Sequence, residues 1–137
     1  MGCWRRNRTG ANLLARSTYQ SLRSQSVIAE YRRELQARRD LFYAGVREAA
    51  GHVLGGEPPP GAFYAFLRID PGWLPPPGLR GDSRSWAMAE YLIREGRIGC
   101  VPGIDFGPAS EGYIRFCFAR DRAELAGALE AMRALFR

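Results

Sequence analysis

Gly112-Tyr113-Ile114-Arg115-Phe116-Cys117-Phe118-Ala119-Arg120-Asp121-Arg122-Ala123-Glu124-Leu125 holds the change of period on which the fold turns. Tyr113 to Ala119 alternates apolar side chains with others, the repeat of a strand whose two faces differ. Asp121 then stands three residues before Glu124, a capping-box-like helix start, and Leu125, Leu129, Met132 and Leu135 follow on one face. A strand that runs into an amphipathic helix predicts a layer of helix packed on sheet.

The residues upstream fit the same plan. Ala62 to Ile69 is a short, aromatic-rich apolar run after the breaker Pro58-Pro59-Pro60-Gly61, and its composition predicts a strand buried on both faces, ended by Asp70-Pro71-Gly72. Leu74 to Gly81 is a Pro/Gly-rich loop. Asp82 or Ser83 then caps a helix carrying Trp86, Met88, Ala89, Leu92 and Ile93 and stopped at Gly96. Ile98 to Val101 reads as a brief strand and Pro102 to Gly112 as a loop. Before all of these, Tyr31, Leu35, Phe42, Val46 and Ala49 fall near helical spacing, which predicts a long amphipathic helix from Ile28 to the stop at Gly51 and Gly55-Gly56. The expected fold is an α/β (α+β) two-layer sandwich: a small mixed sheet, a long N-terminal helix and two further helices.

The chain has 137 residues, enough for one domain with a real core. No apolar run approaches the length that crosses a bilayer, and the N-terminus lacks a signal-peptide stretch, so a cytoplasmic protein off the membrane is expected. Cys3, Cys100 and Cys117 are odd in number and have no short paired spacing, which argues for a reducing compartment and against a disulfide framework. His52 is the only histidine, so no metal site is expected, and its place just past the first helix suits a capping or surface role.

All 20 basic residues are arginine. An arginine cannot act as an amine nucleophile, so no side chain here can form a Schiff base. The net charge of +6 is concentrated early: Arg5, Arg6, Arg8, Arg16 and Arg23 precede the first acid, Glu30, and the remainder is nearly neutral. Residues 1–27 are therefore expected to be a basic, poorly ordered or non-native segment, with a transit peptide (organelle targeting) or a flexible arm as alternatives, and 28–137 to be the domain. A basic arm of this kind could track nucleic-acid phosphates, but the body carries no helix-turn-helix, zinc-finger or aromatic RNA-binding signature. Asp105-Phe106-Gly107 spells a protein-kinase signature without the lysine, Gly-rich loop or catalytic loop that would give it meaning.

Three pieces in order, Pro60-Gly61-Ala62-Phe63-Tyr64-Ala65-Phe66, Val101-Pro102-Gly103-Ile104-Asp105-Phe106-Gly107 and Gly112-Tyr113-Ile114-Arg115-Phe116, together resemble the C-terminal small domain of the class I/II, aspartate aminotransferase-like, fold type I aminotransferases. Arg38-Arg39-Asp40 matches the family's usual approach, and the resemblance runs from about Tyr31 to Leu135, roughly three quarters of the chain. It implies that Arg115 binds the α-carboxylate of an amino acid or dicarboxylate substrate. Arginine suits that task because its planar guanidinium grips a carboxylate through two parallel hydrogen bonds. Read without the resemblance, Arg115 is a solvated strand residue or a salt-bridge partner. The resemblance also implies that Phe63 walls the substrate pocket and that the Pro102 to Gly107 loop with Asp105 lies near its entrance; the plain readings are core and turn.

The resembled enzymes transfer an amino group between an amino acid and a 2-oxoacid with pyridoxal phosphate held by a lysine of a large domain that has no counterpart here. The implied protein is a partial aminotransferase, inactive alone, for which a truncated gene, a split gene and an incomplete gene model are all open. Its implied partners are a large-domain chain or a homodimer mate. The alternative of another class is an independent carboxylate-binding or regulatory domain.

Overall fold

The computed structural model describes residues 8–79 and 81–137, and among these it does not describe the side chains of 8–20, 22 and 23. What was expected of residues 1–7, Cys3 included, lies outside the described residues. The chain forms two units, 1–34 and 35–137.

Helix α1 is Arg8–Ala50, 43 residues, and so begins well before Ile28. The reason is visible in the sequence: between Ala11 and Ala44 there is neither glycine nor proline, so nothing stops a helix there even though the apolar periodicity fades. In the first unit Val27, Ile28 and Tyr31 are exposed. Tyr31, expected on the buried stripe, is 68% exposed.

The second unit holds the sheet. Its strands are β1 (Leu54–Gly55), β2 (Tyr64–Ile69), β3 (Val101–Pro102) and β4 (Tyr113–Cys117), in the order β1-β2-β4-β3. All three pairings are antiparallel, so the sheet is not mixed in strand direction. The two-layer α+β architecture is otherwise as expected. Helices α2 (Arg84–Gly96) and α3 (Arg122–Leu135) complete it. Ser83 Oγ accepts from Trp86 N at the start of α2, and the Asp121 side chain accepts from Glu124 N at the start of α3, so both caps read from sequence are in place.

One face of the sheet carries the core. Ala65, Leu67 and Ile69 of β2 and Ile114 and Phe116 of β4 pack with Phe42, Val46 and Ala49 of α1, Met88 and Leu92 of α2, and Leu125, Leu129 and Met132 of α3. Gly45 lets α1 come close to α3, since a Cβ there would collide with Leu129. Every described buried side-chain polar atom has a hydrogen-bond partner.

The strand expected to be buried on both faces is not. Along β2 exposed and buried residues alternate, with Tyr64, Phe66 and Arg68 pointing away from the core. An apolar run cannot distinguish a doubly covered strand from one whose outer face is aromatic and open. The strand expected at Ile98–Val101 shrinks to Val101–Pro102 because Ile98 instead closes α2, its N–H donating to Leu92 O.

Candidate carboxylate site on the open face of the sheet

Register decides which side chains meet on the open face. Antiparallel pairing sets Tyr64 opposite Cys117, Phe66 opposite Arg115 and Arg68 opposite Tyr113, while Val101 flanks Arg115 on the other side. Tyr64 is thus the diagonal neighbour of Arg115. The guanidinium carbon of Arg115 lies 4.3 Å from the centre of the Tyr64 ring and 4.6 Å from that of Phe106. A planar cation on two aromatic faces gains about 0.5–2 kcal/mol per contact, and its plane is fixed before any ligand arrives.

The rings are themselves braced. Phe66 stacks on Tyr113 with centres 5.0 Å apart and planes within 3°, and meets Phe106 edge-on at 6.0 Å. Among the described residues Arg115 makes no ion pair, in contrast to Arg39, Arg94, Arg120 and Arg133, each of which meets a carboxylate. An arginine that is positioned, partly shielded and without an acid is equipped to receive a carboxylate from outside.

Phe106 is brought over Arg115 by the loop after β3. Gly103–Phe106 forms a 3-10 turn, followed by a second at Pro108–Ser110. Gly103 is demanded by contact, because a Cβ there would strike Ser110 O and lie 2.7 Å from Tyr113 O. Gly112, with φ of 83°, turns the chain into β4. Glu111, just before it, reaches the start of α2: its carboxylate accepts from Ser85 Oγ at 2.7 Å, Ser85 N at 3.0 Å and Ser83 Oγ at 3.0 Å. Ser85 is fully buried, and its Oγ also accepts from Ile104 N at 3.4 Å. Burial pushes the Glu111 carboxyl up, but the hydrogen bonds from Ser85, Ser83 and the Arg84 backbone outweigh it, so its pKa lies below the ordinary value.

Phe63 stands just before β2, 41% exposed, with its ring 4.5 Å from that of Tyr64. It borders the same open face and is not core. Its carbonyl accepts from Phe118 N, which pins the approach to β2 on the far end of β4. Asp105 is exposed on the 3-10 turn, and His52 is exposed in the turn after α1. Arg39 of the Arg38-Arg39-Asp40 motif bonds Pro59 O and Asp40, and Arg38 bonds Arg120 O, so the motif fastens α1 to the loops at the ends of β2 and β4.

Sequence reasoning did not find Tyr64, Phe66, Phe106, Tyr113 and Glu111 as parts of the site. The alternation of large aromatics at 64 and 66 with small or aliphatic residues at 65 and 67 was the available signal for the ring platform. Glu111 and Ser85 lie 26 residues apart and carry no local signature.

A depression of about 580 Å³ opens elsewhere, bounded by Arg97, Gly99, Phe116, Cys117, Arg120 and Glu124. Its Arg120 is paired with Glu124 at 2.7 Å. Burial pushes the Cys100 thiol up to about 12, and the group is an inert donor toward Ala89 O. Among the described residues no group of histidines, cysteines and acids could hold a metal ion, and no helix is long and apolar enough to cross a membrane.

A family model described as aminotransferase class I and II matches residues 5–132. The chain is 34% identical over 110 residues to aromatic-amino-acid aminotransferase 2 of Thermococcus litoralis, a match covering 80% of this chain and 25% of that protein. It is 32% identical over 115 residues to an aspartate aminotransferase of Pyrococcus abyssi, covering 84% of this chain and 26% of that one. Among solved structures, the aspartate aminotransferase of Rhizobium meliloti superposes with a TM-score of 0.68 at 32% identity over 81% of this chain and 27% of that one. The chain thus spans about a quarter of the length of the curated relatives it matches. With its sheet, its three helices and the match over nearly its whole length, the chain belongs to the class I and II aminotransferases and corresponds to a C-terminal part of that family's fold.

Proposed function

We propose that this chain supplies the carboxylate-binding side of an aminotransferase site, with Arg115 as the ligand of the α-carboxylate and Phe63 as a wall of the pocket. The observation that carries the reading is the Arg115 guanidinium, held over the Tyr64 and Phe106 rings and facing no acid among the described residues. A carboxylate docked there receives two parallel N–H bonds from a guanidinium the rings already hold, so the orientation of its Cα bonds is set by the protein. The aromatic platform keeps water from one side of that contact and so strengthens it.

The family implies pyridoxal phosphate, which supplies an electron sink for amino-group transfer when bound. The residues of this chain do not fit its attachment: the sequence has no lysine. Amino-group transfer therefore needs a lysine-bearing domain from outside these 137 residues. In this reading the chain alone is inactive, and it works in the cytoplasm, to which its free thiols Cys100 and Cys117 are suited.

Two experiments test this. Reduction with borohydride in the presence of pyridoxal phosphate, followed by peptide mass mapping, yields no side-chain adduct. Co-expression with a lysine-bearing aminotransferase large domain gives a complex with the absorbance of bound cofactor and transamination that Arg115→Ala suppresses far more than Arg94→Ala. Transamination by the chain alone, or by the complex regardless of Arg115, defeats the proposal. A second reading, a domain that binds carboxylates without chemistry, draws support from the self-contained core of the second unit. It predicts that the chain folds cooperatively and gains nothing from the large domain.

A further inference from the structure

We infer that Glu111 is a positioning residue for Arg115, acting through Ser85 and the Gly103–Phe106 turn to hold the Phe106 ring against the guanidinium. The path is short and each link is a contact. The Glu111 carboxylate fixes Ser85 by its hydroxyl at 2.7 Å and its amide at 3.0 Å. Ser85 Oγ, fully buried, takes the N–H of Ile104 inside the turn. Two residues on, Phe106 lies over Arg115 at 4.6 Å. The ring is 47% exposed, so packing alone holds it weakly and its place depends on the backbone turn that bears it.

The arrangement also accounts for an acid four residues before Arg115. A carboxylate set among two hydroxyls and the first amides of α2 is satisfied locally and does not turn toward Arg115, four residues further on. Were it released, the turn that carries Phe106 would lose its brace. Glu111 thus sets the geometry of the site and stays out of it.

This inference rests on the reading of Arg115 as the carboxylate ligand, and two readouts on the full chain separate them. The first needs no ligand: the NMR resonance of the Arg115 Nε–H, shifted by the ring currents of Tyr64 and Phe106. Glu111→Gln moves it toward the position of a solvated arginine, Phe106→Leu moves it the same way, and the double variant moves it no further than Phe106→Leu. The second is affinity for succinate, which Glu111→Gln weakens roughly fivefold, again with no added loss in the Phe106→Leu background. Asp121→Ala, which removes the cap of α3, serves as a variant destabilised to a similar degree and leaves both readouts unchanged. Ser85→Ala, which cuts the link to Ile104 while sparing the Ser83 contact, reproduces Glu111→Gln. Additive effects, an unmoved resonance in Glu111→Gln, or an equal shift in Asp121→Ala overturns the inference. Succinate binding that ignores Arg115→Ala instead overturns the carboxylate reading, and the resonance still decides the role of Glu111.

Discussion

The two faces of the sheet are built from the same two strands and do opposite things. On the inner face, Ala65, Leu67, Ile69, Ile114 and Phe116 are buried and interchangeable in kind with any well-packed aliphatic set. On the outer face, Tyr64 and Phe66 are exposed and Tyr113 and Arg115 half-buried, and their identities matter because the rings and the guanidinium rest on one another. A register slip of one residue would exchange the faces, so the core, by fixing the register, also aims Arg115. The core and the proposed carboxylate face thus fall on alternate residues of the same two strands.

The sharpest way to break the comparison is to mutate inward. Ile114→Ala removes a fully buried side chain next to Arg115 in sequence and is expected to cost about 3 kcal/mol in urea unfolding, with no change in the residues that face a ligand. Less than about 1 kcal/mol lost would mean that the inner face is not the core.

Glu111→Gln is expected to cost about 1 kcal/mol near neutral pH, since the carboxylate is only partly buried. Its folded pKa lies below the ordinary carboxylate value, so its contribution is present above that value and is lost as pH falls through the lower, folded value. The difference between wild-type and variant unfolding midpoints should therefore close in acid, below the ordinary carboxylate range. A difference that persists there would assign the effect to shape and not to charge.

The outer face gives a smaller response. Phe66→Ser is expected to cost under about 1 kcal/mol in urea unfolding, because the ring is 39% exposed. A loss as large as that of Ile114→Ala would erase the distinction between the faces.

How much of this was legible in the sequence follows the same division. The caps Ser83 and Asp121, the core stripe Leu125, Leu129 and Met132, and the position of Arg115 on a strand were readable because each depends on neighbours within a few residues. The extension of α1 to Arg8 was missed because fading periodicity was weighed above the absence of a breaker. β1 at Leu54–Gly55 was missed because its glycine reads as a helix stop. The tie between Glu111 and Ser85 was invisible because it joins a loop to a helix start only once the chain has folded. Phe63, set between core and pocket by its sequence, lies beside the open face, and whether it touches a ligand follows from the same titration that tests Arg115.

That titration is the most direct measurement: succinate added to the isotopically labelled chain, with Arg115→Lys and Arg115→Ala alongside. The account predicts millimolar binding with shifts confined to Phe63, Tyr64, Phe66, Phe106, Tyr113 and Arg115, roughly tenfold weaker binding in Arg115→Lys because the charge remains without the fork, and none in Arg115→Ala. Arg115→Ala should lower the unfolding free energy by at least about 1 kcal/mol through the lost ring contacts, while all three chains stay folded under the titration conditions. An Arg115→Ala chain that binds succinate as the wild type does would contradict it.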